Sequence, residues 1–99
     1  MTINKAINGD TAVLAIEGRV DTSTSPALQA AILEAFQGSK NLMLDFAKVP
    51  YISSAGLRAL LIGQKTATSK GGSMELINVS EMVLSILDTV GFTDILTLR

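Results

Sequence analysis

The sequence predicts an α/β fold: a small, largely parallel sheet with helices in its crossovers and one antiparallel strand at its edge, in the order β-β-α-β-α-β-α-β. Three observations carry that expectation. Apolar segments of strand length alternate with segments of helical periodicity, at intervals of about 30 residues. "NGD" at 8–10 is a turn signal between two short segments near the N-terminus. From Ala27 to Phe36, the apolar residues Leu28, Ala31, Ile32, Ala35 and Phe36 fall at three- and four-residue spacings, which is one face of a helix.

Taken in order, Thr2 to Ile7 alternates weakly, and "TAVLAIE" at 11–17 is rich in small and β-branched apolar residues, so the two form a hairpin across the turn. "GRVDTSTSP" at 18–26 is punctuation. Its serines and threonines are N-cap candidates, and Pro26 suits a first helical turn, where a missing N–H costs nothing. The first helix follows, with Gly38 as its stop. "NLMLDF" at 41–46 is a short apolar run before a polar turn, the pattern of a buried strand, whereas 55–68 is long and contains good helix formers. "KGG" at 70–72 ends that second helix, "SMELINV" at 73–79 is a strand, and Ser80 followed by Glu81 opens a third helix running to about Val90. Gly91 stops it, and "DILTL" at 94–98 makes the last strand. On the third helix Met82, Val83, Ile86, Leu87 and Val90 span a broad apolar stripe that reads as core, with Met82 or Leu84 as candidates for an outward partner surface.

Composition narrows the function. The 99 residues, 47% apolar and 17% charged, suffice for one modest core, and a single domain over 1–99 is expected. A net charge of −1 without any basic cluster gives no footprint for nucleic acid or an anionic membrane. Neither cysteine nor histidine occurs, which removes disulfides, a thiolate nucleophile, the commonest metal ligand and the usual triad base. No cofactor or metal is implied. "MTINKAINGD" lacks the apolar region of a signal peptide, and a cytoplasmic protein is the default expectation.

The chemistry that remains lies in "KVPYISSAGLRALL" at 48–61, where an apolar run meets a helix through two adjacent serines. In a parallel sheet the loops after the strands' carboxyl ends share one edge, where ligands and partners bind, so the loops at 18–25, 46–54 and 78–80 are expected to meet. Ser53 and Ser54 then stand at a helix start, with small Ala55 and Gly56 leaving their hydroxyls accessible. One reading is a helix cap. Another is a phosphorylation site, because exposed amides and the positive end of the helix dipole favour a phosphate there. The two coexist if Ser53 caps and Ser54 presents its hydroxyl. A hydrolase elbow reads G-x-S-x-G and needs a base, whereas this chain has "YISSAG" and no histidine. Asp45 resembles a receiver-domain phosphoacceptor only superficially, since the acidic pair and lysine of a receiver are missing; it reads as a turn or cap residue.

"GRVDTSTSPAL", "LDFAKVPYISSAGLRALL" and "GGSMELINVSEMVLSILDTVGF" resemble, in order and spacing, the STAS domain of bacterial anti-sigma-factor antagonists, over nearly the whole chain. The resemblance implies a small mixed sheet with helices largely on one face. It also implies a non-enzymatic regulator that binds an anti-sigma factor, itself a serine kinase, when unphosphorylated. Phosphorylation by that kinase ends the binding, and a serine phosphatase restores it. The family's substrate serine lies two residues before the glycine, which is Ser54; some members carry Asp where Ser53 stands, so Ser53 is the alternative acceptor. The partner surface implied comprises Asp21, Thr22, Ser23, Ser53, Ser54, Ala55, Gly56 and Arg58. Asp21 reads equally as an Asx-turn residue, and Arg58 either as a phosphate contact one turn along the helix or as an ordinary surface arginine. A second role on the same fold is an STAS subunit of a transporter or a stress-signalling scaffold.

Overall fold

The structure, a computed structural model, describes residues 1–99. The elements are β1 (Thr2–Asn8), β2 (Thr11–Glu17), α1 (Ser25–Gly38), β3 (Asn41–Lys48), α2 (Ser54–Ser69), β4 (Ser73–Ile77), α3 (Glu81–Thr89), a 3-10 turn (Phe92–Asp94) and β5 (Thr97–Leu98). Gly9, at φ +63, and Asp10 make the two-residue link of the β1–β2 hairpin, the left-handed first position being what a type II′ turn needs.

The five strands lie in sequence order, β1 antiparallel to β2 and every later neighbour parallel. Because each crossover steps in the same direction and crossovers share one hand, all three helices fall on the same face of the sheet. Strand periodicity records this. Ala12, Leu14 and Ile16 of β2, Leu42, Leu44 and Phe46 of β3, and Met74 and Leu76 of β4 are buried beneath the helices. Their neighbours Val13, Ala15, Met43 and Glu75 face the other way and are half-exposed. The run 41–46, expected to be a buried strand, is therefore buried on one face only; its apolar continuity comes from Met43, which sits on the open side. Polar pairs knit that open face together. The Ser73 hydroxyl donates to Asn41 Oδ1 at 3.0 Å, and Arg99 pairs with Glu75 at 2.8 Å.

The predicted apolar face of α1 is the buried one: Leu28, Ile32, Ala35 and Phe36 are within the core, with Ala31 half-buried. The helix runs through Gly38, and Ser39 is its C-cap. Gly63 sets how closely α2 approaches, since a Cβ there would lie 2.7 Å from Met74 Sδ and 2.9 Å from Ile32 Cγ2. Ser80 caps α3 by accepting from the Val83 N–H at 3.2 Å, and Val83 and Leu87 join the core. Met82 and Leu84 are exposed, as is Val90, which sequence periodicity had assigned to the core stripe.

The last strand is shorter than 94–98. Gly91, at φ +80, reverses the chain, and the 3-10 turn takes up Phe92–Asp94. The N–H groups of Ile95 and Leu96 then both donate to the Phe92 carbonyl, leaving only Thr97–Leu98 to pair with β4. Local hydrogen bonds win here over strand propensity. Leu96 is still buried, so the apolar signal in this segment is real although its period is not that of a strand.

The one-sided burial is testable by a pair of neighbouring substitutions. Leu44→Ala should lower unfolding free energy by about 2–5 kcal/mol through the cavity it leaves, and Met43→Ala by no more than about 1 kcal/mol. Chemical denaturation of the two variants measures the difference.

Candidate functional site

β2 and β3 leave the sheet unevenly, and the site is built on that irregularity. Ala15 pairs with Asp45 but Glu17 pairs with Lys48, so β3 carries one extra residue, a bulge that turns both strand ends. Beyond it the two loops are laced together. The Gly18 N–H donates to the Lys48 carbonyl at 2.9 Å, Val20 N–H to the Tyr51 carbonyl at 3.0 Å, and Ser53 N–H to the Val20 carbonyl at 2.8 Å. Val20 and Ile52 thereby form an isolated parallel bridge and are both buried.

The first turn of α2 rests on that bridge. A Cβ at Gly56 would lie 2.6 Å from Ile52 Cγ1 and 2.7 Å from Val20 Cγ1, so only glycine lets the helix sit this close. Gly56 is buried. Its placement on the partner surface is thus corrected: its smallness serves packing underneath the serines rather than access to them. Ala55, half-exposed, remains at the surface.

The two serines separate cleanly. Ser53 has extended backbone (φ −89, ψ 173) and is the N-cap of α2, its Oγ accepting from the Gly56 N–H at 3.3 Å. Ser54 is the first residue of the helix and is exposed. No acidic residue occupies the first turn of α2, so the positive end of its dipole is uncompensated. Arg58, one turn further and exposed, lines a shallow groove between α1 and α2 together with Thr22, Pro26, Leu33 and Ala55.

The loop 21–24 that borders this groove is held by Asp21. Its Oδ1 accepts from the Ser23 hydroxyl at 2.8 Å, from the Ser23 N–H at 3.0 Å and from the Thr24 N–H at 3.0 Å. The Thr24 hydroxyl accepts from the Asp21 N–H at 2.9 Å, and the Ser25 hydroxyl donates to the Asp21 carbonyl. This is the Asx-turn reading of Asp21. The Ser23 hydroxyl first, then the Thr24 N–H, hold the carboxyl below its ordinary value. Thr22 and Ser23 are exposed at the tip of the loop.

The third expected loop does not join the serines through any hydrogen bond; it joins the end of β3. Asn78, at φ +57, donates from its side-chain amide to Asp45 Oδ1 at 3.1 Å, and the same oxygen accepts from the Ala47 N–H at 3.0 Å. Asp45 is thus a turn residue. One feature of the site escapes the sequence reading: the Arg19 guanidinium lies 4.5 Å from the centre of the Tyr51 ring, a cation–π contact across the laced loops. The one tyrosine of the chain, next to the serine motif, was the available signal. No group of three or more acidic, histidine or cysteine side chains could hold a metal ion, and no helix is long and apolar enough to cross a membrane. Chemically, the arrangement presents the Ser54 hydroxyl at a helix start, with Arg58 one turn along the same helix and the loop ordered by Asp21 bordering the groove that Arg58 lines.

A family model described as the STAS domain matches residues 2–99. Among known proteins, the anti-sigma-B factor antagonist of Bacillus subtilis (strain 168) is 28% identical over 81 residues, 82% of this chain and 74% of that protein. Among solved structures, the Bacillus cell fate determinant SpoIIAA in its phosphorylated form aligns at TM-score 0.77 and 18% identity, covering 99% of this chain and 91% of that one. A sulfate transporter family protein from Wolinella succinogenes aligns at TM-score 0.77 and 22% identity, covering 91% and 74%. These two structures share the fold.

The division of labour between the serines predicts unequal stability effects. Ser53→Ala should cost about 0.5–2 kcal/mol of unfolding free energy, and Ser54→Ala should fall within about 0.5 kcal/mol of the parent. Urea denaturation compares them. For Asp21, an NMR titration of the side-chain carboxyl should give a midpoint below 3.8, and Ser23→Ala should raise it. Because the folded-state pKa is the depressed one, the loop's contribution is complete above the unfolded value and is lost as pH falls through the folded one.

Proposed function

The chain belongs to the STAS domain family, and from that membership we propose that it is an anti-sigma-factor antagonist switched by phosphorylation of Ser54. In the unphosphorylated state it binds an anti-sigma factor that is itself a serine kinase, and the sigma factor is released. Within that complex the Ser54 Oγ attacks the γ-phosphorus of ATP. The bond to the bridging oxygen breaks, ADP leaves, and the hydroxyl proton passes to a base on the kinase. A serine phosphatase reverses the modification. The protein is a substrate and a ligand in this cycle, not a catalyst. It acts in the cytoplasm, on protein partners, without direct contact to nucleic acid or membrane.

The observation that carries this reading is the exposure of Ser54 at the first position of α2 while Ser53 holds the cap. Phosphorylation there adds about −1.5 to −2 charges without removing any hydrogen bond the fold uses. The helix terminus favours the added charge by about 0.3–1 kcal/mol. The docked partner does not, because a surface matched to a neutral loop meets a concentrated negative charge. The same geometry therefore leaves the fold intact and abolishes the interface. Two relatives support the reading: the Bacillus subtilis protein is named an antagonist of an anti-sigma factor, and SpoIIAA has been solved in a phosphorylated form.

The likeness to a sulfate transporter family protein favours a second reading, a subunit attached to a transporter, in which the same edge of the sheet binds a transporter component. Binding assays separate the two. Against the serine-kinase anti-sigma factor, the parent protein and Ser54→Ala should bind comparably, and Ser54→Asp should fold normally but bind at least about tenfold more weakly. Equal binding of all three to a transporter component, with none to the anti-sigma factor, would support the second reading.

A further inference from the structure

The cations of the chain differ in whether they are engaged. Arg19 is stacked on Tyr51 at 4.5 Å, Lys48 is paired with Glu17 at 3.6 Å, and Arg99 with Glu75 at 2.8 Å. Lys70 donates to the Phe36 carbonyl at the far end of α2. Arg58 has no ion-pair partner, is exposed, and stands four residues after Ser54 on the same helix. An i, i+4 pair lies on one helical face with Cβ atoms about 5–6 Å apart, and the order acid first, base second is the favourable one against the helix dipole. Nothing in the first turn of α2 competes for the guanidinium, because that turn carries no acidic side chain.

We infer that Arg58 is an intramolecular clamp for phosphoserine at position 54, closing onto the phosphate only after modification. The inference rests on the phosphorylation reading above and assigns Arg58 a role within the chain in addition to any contact with a partner. Before phosphorylation the guanidinium belongs to the groove between α1 and α2, whose other lining residues include Thr22, Pro26 and Ala55 and no acid. After phosphorylation its planar fork donates to phosphate oxygens, a charge-assisted pairing that a lysine point charge reproduces only in part. The modification then changes the docking surface twice. It adds the two negative charges of the phosphate, and it withdraws the one unpaired cation from the groove. The positive charge is drawn out of the groove and onto the phosphate, and the phosphorylated face is more rigid than the added phosphate alone would make it.

The test reads the phosphate itself. Phosphoserine is incorporated at position 54 during translation, so that no kinase is needed, in the parent, Arg58→Ala and Arg58→Lys proteins, and the second ionisation is followed by 31P NMR. The ordinary midpoint is about 6. Helix amides and dipole act equally in all three proteins, so any difference reports residue 58. The parent should titrate lower than Arg58→Ala by about 0.3 unit or more, with Arg58→Lys between them. The difference should shrink in high salt. Midpoints of parent and Arg58→Ala that agree within about 0.1 unit would overturn the clamp. The outcome is independent of whether a kinase modifies Ser54, so a clamp that fails and a phosphorylation site that fails are told apart.

Discussion

Everything at the candidate site depends on the short parallel bridge between Val20 and Ile52 and on the glycine seated over it. Three backbone hydrogen bonds, from Gly18, Val20 and Ser53, tie the loop after β2 to the loop after β3. With those loops fixed, Gly56 brings the first turn of α2 down onto two buried β-branched side chains. The start of the helix rests directly on them, with Ser53 in extended backbone and Ser54 in helical backbone. Cap and presented hydroxyl are thus consequences of packing beneath them. A side chain at residue 56 would displace the helix start first, and the serines with it.

The one-sided sheet supplies the rest of the placement. Sequential strand order with crossovers of one hand stacks all helices on one face, so both loops that form the site emerge at the same edge, each feeding a helix of the same layer. The N-termini of α1 and α2 then flank one groove, with Arg58 on one wall and the Asp21 loop on the other. The surface carries the exposed hydroxyl of Ser54 at the start of α2 and those of Thr22 and Ser23 on the facing loop.

Much of this was legible from residue patterns, for identifiable reasons. The helical spacing of Leu28, Ile32, Ala35 and Phe36 and the "NGD" turn are local signals that tertiary packing reinforces. Which face of the sheet is covered was not legible, because Met43 is apolar on the open side and makes 41–46 look buried throughout. The extent of β5 was not legible either, since Gly91 and the carbonyl of Phe92 set a local turn that strand propensity does not register. At the site, residue types narrowed the chemistry to Ser53 and Ser54, and the family resemblance pointed to Ser54 as the acceptor; the backbone angle and the bond from Gly56 assign the cap to Ser53. Gly56 itself was read as leaving the serine hydroxyls accessible, whereas its smallness makes room for Val20 and Ile52. The Arg19–Tyr51 contact joins two loops far apart in sequence, and the lone tyrosine beside the serine motif marks only one side of it.

The decisive measurement is intact mass followed by peptide mapping, after the purified protein has been incubated with ATP and a serine-kinase anti-sigma factor. One added phosphate, located at Ser54 and absent from Ser54→Ala, is the expected result. A phosphate at Ser53, or none in the presence of a kinase proven active, would contradict the assignment of the capping serine to structure and the exposed serine to regulation.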